Sequence, residues 1–273
     1  MGALTLSRNF SLGPLTKRLV HEAYWRDQYP AWPGYANECE ALLEFVRAHG
    51  QLDRFWPRLS GSRHTQRDEA LNEIRVAYLL EKLGFPVVAW EPVDAPGYNV
   101  EFAVSLGTSR RCFVEVKSPG WESELSQVER NRGRAKADKY IDLEARAAAP
   151  VQVIRRTVTK ALPKFSGSDA SLIVITDDCF VDLGAWGWGP LQMALTQRSI
   201  AYDPGLFHVP LYSTIGAVCL LWLTRETGYG VQYASQCLAN ENAVLSARLP
   251  GDLVRNLCTV PIKPQPRLRS LVS

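Results

Sequence analysis

FVEVKSPG, residues 113–120, sets an acidic and a basic side chain two residues apart inside a β-branched run. Residues two apart on a β-strand point to the same face, so Glu115 and Lys117 share one face. The preceding run, residues 98–104, alternates in the same way, and residues 105–110 are rich in the types that form hairpin turns. We therefore predict that the two runs pair as antiparallel strands.

A turn centred near Thr108 decides which residues of these strands face each other. Glu101 then lies opposite Glu115, and Asn99 lies opposite Lys117, with all four side chains on one face. Two carboxylates this close are costly unless a cation neutralises them, and hard divalent ions such as Mg²⁺ take oxygen ligands of this kind. We expect the two carboxyl groups to lie within about 8 Å of each other, because a larger separation would exclude a shared ion.

This arrangement resembles the PD-(D/E)xK nuclease superfamily, in which an acid on one strand and an acid-x-lysine on the next hold a metal ion for phosphodiester hydrolysis. The resemblance covers about residues 65–180, and the match is at Glu115 and Lys117. It implies a restriction-endonuclease-like αβββαβ core with a mixed central sheet, and a Mg²⁺- or Mn²⁺-dependent nuclease that hydrolyses phosphodiester bonds. The resemblance gives no substrate, and among nucleic acids we favour DNA over RNA. It also implies Glu101, Glu115 and Asn99 as metal ligands, and Lys117 as the group that orients water or stabilises the pentavalent oxyanion.

The sequence departs from the superfamily at the first-strand position that is usually aspartate, which is Asn99 here. An amide oxygen can bind a metal ion but brings no charge. Either Glu101, two residues on and on the same face, supplies the missing carboxylate, or the site has lost its metal affinity. Asp94 is a third candidate, although residues 95–97 are Ala-Pro-Gly, which is typical of a loop that separates it from the strand.

A helix is predicted over residues 66–83, with a capping box that begins at Thr65 and an end at Gly84. Glu73 falls on the apolar face of this helix, where a carboxylate needs a partner. The resemblance implies that a helical glutamate reaches the metal site from this direction, which makes Glu73 a catalytic candidate. A salt bridge with a nearby arginine is the alternative.

Hydrophobic periodicity places further elements on both sides of this hairpin. The other predicted helices cover residues 14–27, 37–49, 151–162 and 191–196. The predicted strands cover residues 85–91, 98–104, 111–117, 171–178, 215–223 and 230–238. We therefore expect an α/β protein with an N-terminal helical extension (1–60), a nuclease-like domain with extra C-terminal strands (61–250) and a tail (251–273).

Basic residues concentrate directly after the proposed catalytic strand. Residues 130–164 contain ten basic and three acidic residues and are net +7, while the rest of the chain is −4. Such a stretch fits contact with a phosphate backbone, although a solvated helix face has the same composition. By the resemblance, Lys160 is also a candidate for the polar residue that the following helix adds to the site. The candidate nucleic-acid contacts are Arg130, Arg132, Arg134, Arg155, Arg156 and Lys160.

The composition indicates a folded protein, because 46% of its 273 residues are hydrophobic and 22% are charged. Its six cysteines are scattered without a C-x-x-C pair, which favours free thiols in a reducing cytoplasm over a zinc site. There is no signal-peptide pattern, and the longest apolar run, residues 215–223, is too short to cross a bilayer. We expect a cytoplasmic protein without a membrane partner, whose N-terminal extension is a candidate substrate-shaping segment or homodimer arm.

Two other functions are also compatible with the sequence. A pseudonuclease or a nucleic-acid- or protein-binding module would keep the fold and the basic stretch but would bind metal weakly. In an unrelated α/β protein, Glu115 and Lys117 would only belong to a surface strand, and the side chains of the four candidate residues would point apart.

Overall fold

A computed structural model describes residues 13–22, 33–61, 64–107, 109–119, 141–177, 188–198, 203–225 and 231–258. Within these residues the chain forms seven α-helices and one six-stranded mixed sheet, so the predicted α/β class is confirmed. The helices are α1 (Pro14–Glu22), α2 (Pro33–Ala48), α3 (Leu52–Ser60), α4 (His64–Lys82), α5 (Ile141–Ala161), α6 (Trp188–Leu195) and α7 (Gly251–Cys258). The strands are β1 (Val87–Trp90), β2 (Phe102–Ser105), β3 (Arg111–Lys117), β4 (Ala170–Asp177), β5 (Ala217–Arg225) and β6 (Val231–Ala239).

The strands lie in the sheet in chain order, from β1 to β6. The first three form an antiparallel meander, and β4 and β5 then run parallel to β3. In the β2–β3 hairpin, Phe102 pairs with Val114 and Ser105 pairs with Arg111. This is the register predicted from a turn near Thr108, a residue that itself lies outside the described ones, and the predicted pairing is confirmed.

The middle of β3 is buried because both edges of the strand are paired and α5 covers one of its faces. Phe113 belongs to a buried cluster that includes Ile173 of β4 together with Ile154 and Val158 of α5. Glu115 is two residues beyond Phe113, so it points to the same face of the sheet. A carboxylate is thereby placed within the apolar layer between the sheet and α5.

Strand β2 begins at Phe102, later than predicted, and leaves Asn99 outside it. The chain turns at Gly97, whose φ of +81° suits glycine, and Tyr98 N donates to Ala95 O at 3.0 Å. Asn99 then forms an isolated bridge with Val93. This local turn holds residues 93–99 in a loop of their own, and the alternating pattern alone did not reveal it.

Two helices were absent from the predictions. Helix α3 contains Pro57, yet Phe55 and Leu59 are four residues apart and both buried. Helix α7 lies where a tail was expected, and its Leu253 and Leu257 are likewise four residues apart and both buried. Both signals were present in the sequence, but each extends over only eight or nine residues. None of the described helices combines the length and the apolar content needed to span a bilayer.

Contacts divide the chain into two compact units, with the boundary inside α4. One unit comprises Met1–Leu79, Leu223–Ala234 and Pro261–Ser273, and it contains α1 to α3 and most of α4. The other comprises Leu80–Trp222 and Ser235–Val260, and it contains most of the sheet with α5 to α7.

Candidate active site

Glu115 is the centre of the candidate site. It lies on β3, is 0% exposed, and pairs through its backbone with Ile173 of the parallel strand β4. A wholly buried carboxylate is costly unless charge and hydrogen bonds compensate it. Its immediate surroundings therefore decide what this residue can do.

Two ammonium groups lie against one oxygen of Glu115. Lys117 Nζ is 2.5 Å from Glu115 Oε1, and Lys164 Nζ is 2.7 Å from the same atom. Both contacts are ion pairs between an ammonium group and the carboxylate. The side chains of Lys117 and Lys164 are 30% and 22% exposed, which puts the site between the core and the surface.

Both carboxylate oxygens of Glu115 are buried, and neither has a hydrogen-bond partner in the part of the chain that the structure describes. Buried polar atoms are almost always paired, so an exception needs an explanation. A buried carboxylate without a hydrogen bond, beside two ammonium groups at the edge of the core, is a candidate ligand-binding group.

Glu101 lies at the entrance to β2 and completes the acidic pair. Its backbone N–H donates to Val114 O at 3.1 Å, and its carbonyl accepts from Glu91 N at 3.0 Å. Glu101 Oε1 is 3.8 Å and Glu115 Oε1 is 2.7 Å from the same Lys164 nitrogen, so the two oxygens are within about 6.5 Å of each other. That bound meets the sequence-based expectation of less than about 8 Å.

Lys164 was not among the predicted site residues. It ends a short 3-10 helix, Leu162–Lys164, that follows α5. The resemblance had pointed to Lys160 as the residue that this helix adds to the site, but Lys160 is exposed, and the lysine one turn later contacts Glu115 instead. Pro163 indicated the end of the helix, yet no local pattern showed that the next side chain turns inward.

Asp94, the third candidate for the missing carboxylate, has a different partner. Its carboxylate accepts from Ser166 N at 3.0 Å, from Ser166 Oγ at 2.6 Å and from Ser168 Oγ at 3.3 Å. Asp94 therefore binds the loop that directly follows Lys164, and its role in the structure is to position that loop.

Asn99 and Glu73 have other partners in the structure. Asn99 is exposed in the loop that precedes β2, bridged to Val93 instead of β3. Glu73 is buried on α4, and its two carboxylate oxygens accept from Arg58 Nη1 and Nη2 at 2.7 and 2.5 Å. Arg54 adds a longer ion pair of 3.9 Å. Of the two roles considered for Glu73 from the sequence, the structure shows the salt bridge with an arginine.

Three of the predicted nucleic-acid contacts lie on α5. Arg155 Nη1 donates to Pro204 O at 3.0 Å, and the side chains of Arg156 and Lys160 are exposed. The other predicted nucleic-acid contacts, Arg130, Arg132 and Arg134, lie outside the described residues.

The donors at the site suit a hard divalent ion that keeps part of its water shell. Mg²⁺ is commonly held by one or two carboxylates, and Glu101 and Glu115 supply two, of which Glu115 accepts no hydrogen bond from the described residues. Among the described residues, no three His, Cys, Asp or Glu side chains converge as a metal-binding group. Comparison with protein-family models, with curated protein sequences and with solved structures finds no match to this chain.

Proposed function

We propose that this protein is a metal-dependent nuclease that hydrolyses phosphodiester bonds in nucleic acid, and in DNA rather than RNA. The observation on which the proposal rests is the wholly buried Glu115, whose oxygens accept no hydrogen bond from the described residues, with Lys117 two residues away and Glu101 beside it. An acid and an acid-x-lysine on neighbouring antiparallel strands are the groups that such hydrolysis uses in the PD-(D/E)xK superfamily.

The order of elements supports a restriction-endonuclease-like core. Helix α4 is followed by the antiparallel meander of β1 to β3, then by α5 and by β4, which runs parallel to β3. This order corresponds to the αβββαβ core expected from the sequence. It places the acid-x-lysine strand between an antiparallel and a parallel neighbour, which fixes the orientation of both side chains.

Glu101 and Glu115 would hold Mg²⁺ or Mn²⁺ at this site. When bound, the ion would activate water and neutralise charge on the phosphate. Lys117, fixed at the end of β3, would orient the attacking water or stabilise the developing oxyanion. The end of β3 is braced for this role, because Thr176 Oγ1 donates to Lys117 O at 3.3 Å and lies 2.9 Å from Ser118 Oγ.

A phosphate-rich partner is supported by the charge of the segment that follows the site. Residues 130–164 are net +7, and Arg156 and Lys160 expose their side chains on α5. Contacts of this kind bind the backbone without reading base sequence. Backbone contacts therefore do not determine the sequence preference or the strandedness of the substrate.

A pseudonuclease that binds nucleic acid is the second candidate, and a specific observation favours it. Two ammonium groups already compensate Glu115, and Asn99 adds neither charge nor contact to the pair of glutamates. Such a site would be electrically balanced without a metal ion. The protein would then keep the basic stretch and bind nucleic acid without cleaving it.

A cleavage screen tests the proposal. Supercoiled plasmid and labelled single- and double-stranded oligonucleotides would be incubated with the full chain in Mg²⁺, Mn²⁺ or EDTA. We expect cleavage only with a divalent ion, and its loss in Glu115→Gln but not in Glu69→Gln, which makes the same charge change at an exposed position of α4.

Cleavage that persists in EDTA or in Glu115→Gln would contradict the proposed function. Binding of nucleic acid without cleavage and without calorimetric binding of Mn²⁺ would favour the pseudonuclease.

A further inference from the structure

Lys164 lies between the two carboxylates of the candidate site. Its ammonium nitrogen is 2.7 Å from Glu115 Oε1 and 3.8 Å from Glu101 Oε1. A divalent ion shared by the two glutamates would lie between the same oxygens, because its ligand distances are only about 2.0 to 2.6 Å. The Lys164 ammonium and the ion would therefore compete for the same position between the two carboxylates.

The main chain holds Lys164 in place from both sides. Ala161 and Phe165 are buried on either side of the short 3-10 helix, and Phe165 N donates to Leu162 O at 3.2 Å. Asp94 fixes the next turn through its bonds to Ser166. The backbone thus fixes where the Lys164 side chain begins, and from there its flexible stem brings the ammonium to the two carboxylates.

Charge gives a second reason for competition. Glu101 and Glu115 bring two negative charges, and Lys117 and Lys164 bring two positive charges, so the four side chains sum to zero. Adding a divalent ion beside two fixed ammonium groups would leave net positive charge at short range, which is unfavourable. Lys164 is 22% exposed, so its flexible stem can carry the ammonium into solvent when the ion arrives.

We propose that Lys164 is a resident cation that occupies the metal position of this site and must leave before a divalent ion binds. It therefore lowers the affinity of the protein for the ion. This inference rests on the proposed function, because it takes Glu101 and Glu115 as the metal ligands.

Calorimetric titration of manganese chloride into the metal-free full chain tests the inference. We expect Lys164→Gln to bind Mn²⁺ about tenfold more tightly than wild type, as follows if the ammonium occupies the site roughly 90% of the time. Lys164→Arg keeps the charge and should stay close to wild type. Lys160→Gln removes the same charge one turn earlier, at an exposed position, and should leave Mn²⁺ affinity unchanged.

Thermal unfolding of each metal-free variant shows whether it folds. Lys164→Met, which keeps most of the length of the side chain, serves as the second variant with the same expected gain in affinity. Equal or weaker Mn²⁺ binding by both neutral variants would overturn the inference while wild-type binding still supported the metal site. An equal gain in Lys160→Gln would also overturn it, because the effect would then be one of overall charge.

The remaining outcomes separate this inference from the proposed function. If Lys164→Gln binds Mn²⁺ and wild type does not, Lys164 is the resident cation and the pseudonuclease is the better function. If none of the proteins binds Mn²⁺, both the inference and the metal-dependent nuclease are overturned.

Discussion

Two wholly buried glutamates in this protein have opposite surroundings. Glu38 of α2 is 0% exposed, as is Glu115 of β3. Glu38 Oε1 accepts from Arg75 Nε at 2.5 Å and from Tyr233 Oη at 2.9 Å, and Oε2 accepts from Arg75 Nη2 at 3.2 Å. Glu115 instead has two ammonium groups close to Oε1, and neither of its oxygens accepts a hydrogen bond from the described residues.

We interpret the difference as that between a structural charge and the charge of the proposed site. Arg75 is itself buried and is held further by Asn72 Oδ1 at 2.6 Å, so the Glu38 network is closed to solvent and complete. Burial, and then the Glu38 charge, raise the pKa of Tyr233 well above its ordinary value, so this hydroxyl stays a donor. The cations beside Glu115 are partly exposed, and that network remains open to a ligand.

Replacing each glutamate by glutamine is the most direct test of this comparison. Glu38→Gln leaves Arg75 buried without its counter-charge, and we expect a loss of about 3 to 5 kcal/mol in unfolding free energy. Glu115→Gln should cost less than about 1 kcal/mol, because both of its lysines can turn into solvent. Urea denaturation of the two variants provides the measurement.

Equal losses in the two variants would break the comparison, since Glu115 would then be as structural as Glu38. A wild-type sample unfolded under identical conditions is the reference.

Lys117→Met tests the catalytic half of the comparison. The substitution keeps much of the stem and leaves both carboxylates in place, but it removes the donor proposed to meet the attacking water or the oxyanion. Losing one such contact costs about 10² to 10³ in rate, or roughly 3 to 4 kcal/mol. We expect an inactive protein that melts near the wild-type temperature and binds Mn²⁺ as well as wild type or better.

Single-turnover cleavage and calorimetry measure the two effects of this substitution separately. Cleavage at the wild-type rate would show that Lys117 is not catalytic, and the hairpin site would have to be abandoned.

The exposed cations of α5 provide a contrast to Lys164, the partly buried cation that follows the helix. Arg156→Ala with Lys160→Ala should weaken nucleic-acid binding regardless of sequence and reduce the slope of log K against log salt by about 1 to 2. Arg155→Ala is the matched control, because its guanidinium already donates to Pro204 O. Fluorescence anisotropy over a range of salt concentrations gives the slopes, and an unchanged slope in the double variant would place the backbone contacts elsewhere.

The smallest expected effect belongs to Asp94→Asn. Removing an acid ordinarily weakens cation binding, but here it loosens the Ser166 loop that positions Lys164. We therefore expect Mn²⁺ affinity to rise by about two- to threefold. Calorimetry that shows weaker binding would mean that Asp94 acts through its charge and does not position Lys164.

The hairpin at the site was predictable because its determinants are local. Alternation in residues 98–104 and 111–117, with turn-forming residues between them, predicted the pairing of Phe102 with Val114 that the structure shows. The same local turn chemistry explains the main error, since Gly97 ends the pairing early and removes Asn99 from the strand. The metal and nuclease roles of these residues stay predictions.

The sequence by itself determined that Glu115 and Lys117 share a face of a buried strand and that Glu101 lies opposite, because strand periodicity and turn position act over a few residues. Only the tertiary structure decided which cation meets Glu115 and which partner binds Glu73. Lys164 reaches the site through the packing of α5 on the sheet, and Arg58 reaches Glu73 from another helix. Such contacts join segments far apart in the chain, so they depend on how helices and sheet pack and leave no periodic trace in the sequence.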